Sequence, residues 1–489
     1  MGDNYSIEKI YSSLFAILLL MVSTLFIYLN IKYGINIGYI IIITPISLII
    51  LLFCFIEPKI TFIISIVISF FIFYLYRFLG IYFRIIDLPI SSIIDMLIVL
   101  SFLGQLKKDL DSIEKDWSNL VNPVSIALLV YLLYIFIQIF NPNQLSYAGW
   151  LVNARQLFVL VLCYFMAVKL LDDINIIRRL LNIWIILCSL TSLYGCTQEW
   201  FGFMDMEERW INITTYLSGQ VPFLHAGYMR KFSVFSDPTL FGVVMAPSSI
   251  VCFVLATGPF KLKKKIILIV AGILILLGMV YSGTRTAYAM IPAGFLLYFL
   301  MTIENRRTFI VFFIFSIIFI ITLYAPIYGN RHINRIRTAF VGSEDASLKF
   351  RDTKRAASQA YVYEHPIGGG LETSGGFGLR YNKGHELNAI HIDSGFLKMA
   401  LEIGWIGLFI YMMLFFIILS SGVNVYYRCR NKEIKVYILS IVAFIFSCLI
   451  SMYTQKVIFQ HPLGIFLFVL FAVIGVLKKK SEELLIPDS

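Results

Sequence analysis

The chain has 489 residues, of which 59% are hydrophobic and 14% charged, where an ordinary soluble domain has roughly a quarter of its residues charged. That composition excludes a water-soluble globule. Its 40 basic and 29 acidic residues leave a formal charge of +11, and the excess sits in short groups between apolar runs, a pattern that fits a membrane surface and not a nucleic acid.

Fourteen apolar runs follow one another, at residues 12–31, 35–56, 60–78, 91–105, 123–140, 155–171, 180–198, 239–256, 266–281, 286–303, 308–327, 394–420, 435–453 and 462–477. Each is near the length of about 20 residues with which a helix crosses a hydrocarbon core. The first, Leu14 to Ile31, is long for a signal-peptide core and has no small-residue cleavage site after it, so a retained span is expected. Basic groups fall between alternate runs: Lys107 and Lys108, Arg178 and Arg179, Lys261 with Lys263 to Lys265, Arg306 and Arg307, Arg428 with Arg430, and Lys478 to Lys480. The positive-inside rule puts them in the cytoplasm, with both termini inside. The expected fold is an all-α polytopic membrane protein of about 12–14 transmembrane helices with a large, partly helical external loop. Its divisions are an N-terminal bundle over 1–198, a first external loop over 199–238, central spans over 239–327, a large external loop over 328–393, and C-terminal spans over 394–489. The seven cysteines form no CxxC, and Cys54, Cys163, Cys188, Cys252 and Cys448 are among those inside apolar runs, so neither a disulfide framework nor a zinc site is implied.

The chemistry is expected in the two external loops. In the second, Asp345 or Ser347 can cap a helix running to about Tyr363, on which Arg351 and Arg355 share a face four residues apart. Arginine suits phosphate because its fork makes bidentate, permanently charged contacts. The candidates are Arg155, Arg230, Arg285 and Arg351. Arg285, in Ser282-Gly-Thr-Arg-Thr-Ala-Tyr288, stands between two spans with almost no loop, where a charge is costly unless it is used. Snorkelling, or pairing with Asp237, is the alternative for any one of them. His391 can act as a general base, or it can cap the next helix. Asp393 can orient that imidazole or cap the helix itself. The other histidines, 225, 332, 365, 385 and 461, read as structural. Gly368-Gly369-Gly370 lacks the Lys-Ser/Thr of a phosphate loop and reads as a turn. Asp205, Glu207 and Glu208 can hold a divalent cation or can simply be solvated, Lys398 and Glu402 read as a pair across one helical turn, and Asp95 inside a span has no evident partner.

In this order, Arg155, Arg230 before Asp237-Pro238, Ser282-Gly-Thr-Arg285-Thr-Ala, Ser347-x-x-x-Arg351, His365-Pro-Ile-Gly-Gly-Gly, His391-Ile-Asp-Ser-Gly and Leu401-Glu-Ile-Gly-Trp-Ile-Gly-Leu408 resemble the O-antigen ligase and polysaccharide polymerase superfamily. The resemblance is strongest from about residue 228 to 410. It implies a GT-C-like glycosyltransferase of the bacterial inner membrane with its active site facing the periplasm. The substrates would be an undecaprenyl-diphosphate-linked glycan donor and a glycan or lipid A core acceptor, with membrane lipids as surroundings, a chain-length regulator as a further partner, and no nucleic acid. Carried over residue by residue, it selects His391, Arg285 and Arg351 as catalytic, with Arg155, Arg230, Arg355, Asp393 and Tyr288 on the substrate. Neither metal nor cofactor is expected, because the diphosphate link already stores the bond energy. The preferred activity is polymerisation of repeat units. The alternatives are a ligase transferring the finished glycan, a flippase or exporter of lipid-linked glycan, and a metal-dependent transferase using Asp205 and Glu207.

Overall fold

The computed structural model describes residues 51–83, 91–111, 120–171, 173–225, 227–326, 329–340, 358–390, 392 and 394–483. Within these the chain is almost entirely helical. In order the helices are α1 (Pro58–Phe83), α2 (Ser91–Asp111), α3 (Pro123–Ile137), α4 (Tyr147–Leu170), α5 (Ile174–Trp200), α6 (Asp205–Ser218), α7 (Pro238–Ala256), α8 (Leu262–Tyr281), α9 (Arg285–Met301), α10 (Arg306–Tyr324), α11 (Arg331–Phe340), α12 (Gly375–Tyr381), α13 (Gly395–Arg428), α14 (Lys432–Ser451) and α15 (Leu463–Glu483). A two-stranded antiparallel hairpin, β1 (Leu224–His225) and β2 (Tyr228–Met229), follows α6.

Among the described residues eight helices are long and apolar enough to cross a membrane, and three shorter apolar helices accompany them. Twelve of the fourteen predicted runs coincide with helix. Residues 12–31 lie outside the described residues, as does most of 35–56. One predicted boundary moves: the run at 155–171 belongs to a span that begins at Tyr147, because Ser146 caps it by accepting from the Ala148 amide at 3.2 Å. Arg155 therefore stands in the third turn of α4 and not at its mouth.

α7 is the central helix, buried along most of its length and packed against α5, α8, α9 and α14. α13 packs on α3, α14 and α15, and α4 packs on α2 and α15. The helix directions give the bundle two chemically different ends. Lys107 and Lys108 end α2, Arg178 opens α5, Lys263 to Lys265 open α8, Arg306 opens α10, Arg428 ends α13 and Lys478 ends the apolar part of α15. Opposite them lie the α8–α9 turn, the start of α7, the start of α13 and the α14–α15 connection. Ion pairs tie the basic end together, with Lys169 on Asp109 at 3.2 Å and Arg178 on Glu433 at 2.6 Å.

Two segments shape the other end. The stretch before α7 is buried from Lys231 to Phe235 and is held by Arg77 of α1, whose guanidinium donates to the carbonyls of Phe235 at 2.6 Å and Ser233 at 3.1 Å. The 365–374 segment interlocks with a break in α13. Gly404 adopts φ +70° there, and a Cβ on it would fall 1.9 Å from the Pro366 carbonyl oxygen. The carbonyls freed by the break are used at once: Gly369 N donates to Leu401 O at 2.8 Å, Gly370 N to Glu402 O at 2.9 Å, and the Tyr134 hydroxyl to Ile403 O at 2.7 Å. The three glycines thus form a packed turn. The Glu402 carboxylate accepts from the amides of Glu372 at 3.0 Å and Ser374 at 3.3 Å and from the Ser374 hydroxyl. Lys398 binds Glu372 at 2.8 Å and Glu402 at 3.7 Å, so the predicted pair is a buried triad.

Candidate active site

The connection between α8 and α9 is three residues long, Ser282 to Thr284. It packs so closely on α7 that a Cβ at Gly242 would meet the Ser282 hydroxyl at 2.5 Å and Thr284 Cβ at 2.8 Å. The Thr284 hydroxyl donates to the Pro238 carbonyl at 2.9 Å, which fixes the turn against the start of α7. Gly283 takes φ +59° at its apex, where glycine carries no Cβ penalty.

Two guanidinium groups lie on this turn. Arg230 donates through Nε to Ser282 O at 2.9 Å and through Nη2 to the Thr284 hydroxyl at 2.7 Å. Arg335 of α11 donates through Nε to Gly283 O at 2.9 Å. Arg285 is the first residue of α9, at the helix end where unpaired amides and the macrodipole favour negative charge. Burial and the neighbouring Arg335 charge hold Arg230 down to about 10, with Asp237 pulling the other way, so Arg230 stays protonated at neutral pH. Sequence reasoning selected Arg285 and Arg230 and missed Arg335. The signal available was α11 itself, Arg331-His-Ile-Asn-Arg-Ile-Arg, a strongly basic amphipathic helix directly after an apolar one. Its position is set by His332 on Glu199 at 3.3 Å and Arg335 on the turn. Glu199 also binds Lys231 at 3.5 Å and the Tyr228 hydroxyl at 2.6 Å, and burial and Glu199 together push the Tyr228 phenol well up.

The same turn reaches the start of α13 through the α14–α15 connection. The Thr286 hydroxyl lies 2.5 Å from that of Thr454, and Gln455 donates to it at 3.3 Å. Gly395 N in turn donates to Met452 O at 2.8 Å and Gln455 O at 3.2 Å, and the Ser394 hydroxyl donates to Met452 O at 3.2 Å. Ser394 caps α13 by accepting from Leu397 N. His391, Asp393, Arg351 and Arg355 lie outside the described residues. Their described neighbours Ile390 and Ile392 pack with Leu387 and Leu401.

The remaining predicted residues have defined places. Arg155 binds Asp95 at 3.0 Å and the Ser92 hydroxyl at 2.8 Å, and His461 approaches the same carboxylate at 3.6 Å. Asp95 thus has the partners its sequence position did not reveal. Among the described residues Asp237 makes no ion pair with an arginine. It caps α7, accepting from Thr239 N at 2.8 Å and Leu240 N at 3.0 Å. Tyr288 is buried, and its hydroxyl donates to Val280 O at 3.0 Å. The acidic group at 205–208 is the first turn of α6. Glu207 there is fully buried, accepting from Tyr194 at 2.8 Å, Gln198 at 2.7 Å and Met204 N at 3.2 Å, and burial pushes its carboxyl up. His385 caps the short 3-10 turn Glu386–Ala389, and His365 stacks on Tyr361. Among the described residues no three His, Cys, Asp or Glu side chains gather into a metal-ligating group.

No curated protein matches the chain. Residues 270–412, which run from α8 through the α8–α9 turn and α11 to the broken start of α13 and so include Arg285 and Arg335, match the family model described as O-antigen ligase.

Proposed function

We propose that the protein transfers a glycan from an undecaprenyl-diphosphate carrier to an acceptor hydroxyl at the outer face of the bacterial inner membrane. The observation that carries this reading is the meeting of Arg230 and Arg335 on one three-residue turn, with Arg285 the residue directly after it, the last two inside the O-antigen ligase match. Like charges held side by side on backbone carbonyls favour a multiply charged anion between them. The basic groups at the opposite end of the bundle support an outward-facing site by the positive-inside rule.

In the reaction the acceptor oxygen attacks the anomeric carbon, and the bond from that carbon to the diphosphate oxygen breaks. Charge on the leaving diphosphate grows along this path. Fixed guanidinium groups therefore stabilise the transition state more than the ground state, which is what lowers a barrier. His391 accepts the acceptor's proton, Arg351 and Arg355 contribute further positive charge from the large loop, Asp393 orients the imidazole, and inversion follows from the single displacement. No metal is needed on this path.

Polymerisation is our preferred form of the reaction. The alternative form is ligation onto lipid A core or another acceptor, and the matched family model is described as O-antigen ligase. Purified protein in lipid nanodiscs, given lipid-linked repeat units alone, should yield product ladders. Absence of ladders, with transfer restored by lipid A core, would make it a ligase. Retention of undecaprenyl diphosphate binding in an Arg285→Ala, Arg335→Ala double variant would overturn the placement of the diphosphate.

A further inference from the structure

Beside the arginine turn lies a cavity of about 460 Å³, within the roughly 300–1,000 Å³ of small-molecule pockets. Its wall includes Asp95 of α2, Asn153, Arg155 and Gln156 of α4, Ser236 and Asp237 before α7, Glu372 and Lys398, with Phe73, Phe377 and Phe459 as aromatic faces. It joins the turn at two places. Asp237 precedes Pro238, whose carbonyl accepts from Thr284, and Lys456 on the cavity wall follows Gln455, which donates to Thr286.

The electrostatics of the two neighbours differ. At the turn, Arg230 and Arg335 rest on carbonyls and a hydroxyl. In the cavity, Arg155 is matched by Asp95 at 3.0 Å and Lys398 by Glu372 at 2.8 Å, while Asp237 is committed to two amides. A diphosphate would meet carboxylates already beside these cations. A neutral ligand with many hydroxyl groups meets charged and amide hydrogen-bond partners of both kinds, and the aromatic faces suit the apolar side of a sugar ring. Two buried atoms on the wall residues, Glu372 Oε2 and His461 Nδ1, have no hydrogen-bond partner among the described residues, a need that hydroxyl groups, which both donate and accept, can meet.

We propose that this cavity is a sugar subsite, holding a pyranose unit of the glycan next to the diphosphate-binding turn. This rests on the glycan-transfer reading above. The sugar can belong to the donor or to the acceptor, and the test separates them.

The variants are Val152→Trp, which fills the cavity from α4, and Phe377→Ala, which removes an aromatic face that is 44% exposed and leaves the bundle interior untouched. Both are assayed in nanodiscs for KM toward lipid-linked repeat unit as donor, KM toward a short-tailed, water-soluble analogue as acceptor, and Kd for sugar-free undecaprenyl diphosphate. Val152→Trp should raise one glycan KM by about tenfold or more, the scale on which pocket shape discriminates, and Phe377→Ala should raise the same one by less, with Kd for undecaprenyl diphosphate unchanged in both. A rise confined to the acceptor places the acceptor sugar there, and a rise confined to the donor places the donor sugar. Unchanged KM values in both variants, or an equal loss of undecaprenyl diphosphate binding, would overturn the sugar subsite. Arg285→Ala is run in parallel: if it keeps full undecaprenyl diphosphate affinity, the diphosphate reading fails while the Val152→Trp result still reports on the cavity.

Discussion

Arg285 and Arg335 reach the same three-residue turn by different routes, one as the first residue of a helix and the other across a docked helix. Replacing Arg285 by Ala should lower the transfer rate by about 10²- to 10³-fold, the usual loss when a fixed group that stabilises developing charge is removed. Arg335→Ala should lower it by about tenfold, near the lower end for a charge-assisted hydrogen bond. Both are read by quantifying product against folded protein. Arg285 was legible in the sequence because a charge between two spans with almost no loop has few other uses. Arg335 was not, because nothing in the sequence says where α11 docks, which His332 on Glu199 fixes in space. Asp95 was illegible for a related reason. Its partners Arg155 and His461 are far away in the chain and meet it only through the packing of α2 with α4 and the approach to α15.

At the scale of elements, the break in α13 and the glycine turn behave as one piece. Gly404→Ala would force a Cβ into the Pro366 carbonyl and put a side chain at positive φ, a strain of about 1–3 kcal/mol before the clash is counted. The variant should show a clearly lowered melting temperature in detergent or fail to accumulate in the membrane. The Lys398–Glu372–Glu402 triad gives a graded test. Lys398→Met leaves two buried carboxylates facing each other and should cost about 3–5 kcal/mol. Glu372→Gln keeps the Lys398–Glu402 pair and should cost less. The sequence showed the one-turn relation of Lys398 to Glu402 but not Glu372, which arrives from the glycine-rich segment. The motif's glycines were legible as a turn, while their partner, the other glycine motif at 401–408, became evident only from the backbone hydrogen bonds between them.

At the scale of the whole molecule, helical spans were readable because apolar length is a local property, whereas the choice of α7 as centre depends on which helices surround it. The segregation of basic helix ends from the arginine turn predicts orientation. In intact cells a Tyr216→Cys variant, altered at a position 89% exposed on α6, should react with a membrane-impermeant maleimide. Arg430→Cys, at the exposed connection between α13 and α14, should react only after permeabilisation. The seven native cysteines are all buried, so background labelling should be low. The opposite labelling pattern would invert the proposed orientation.

The crowding of Arg230 against Arg335 also has a thermal consequence. An anion that binds between the two guanidinium groups in the folded protein only should strengthen the bundle by mass action. Inorganic pyrophosphate should therefore delay melting more than an equal ionic strength of sodium chloride, whose ions only blur the repulsion at a distance, and the gap between the two melting curves should close when Arg335 is replaced by Gln.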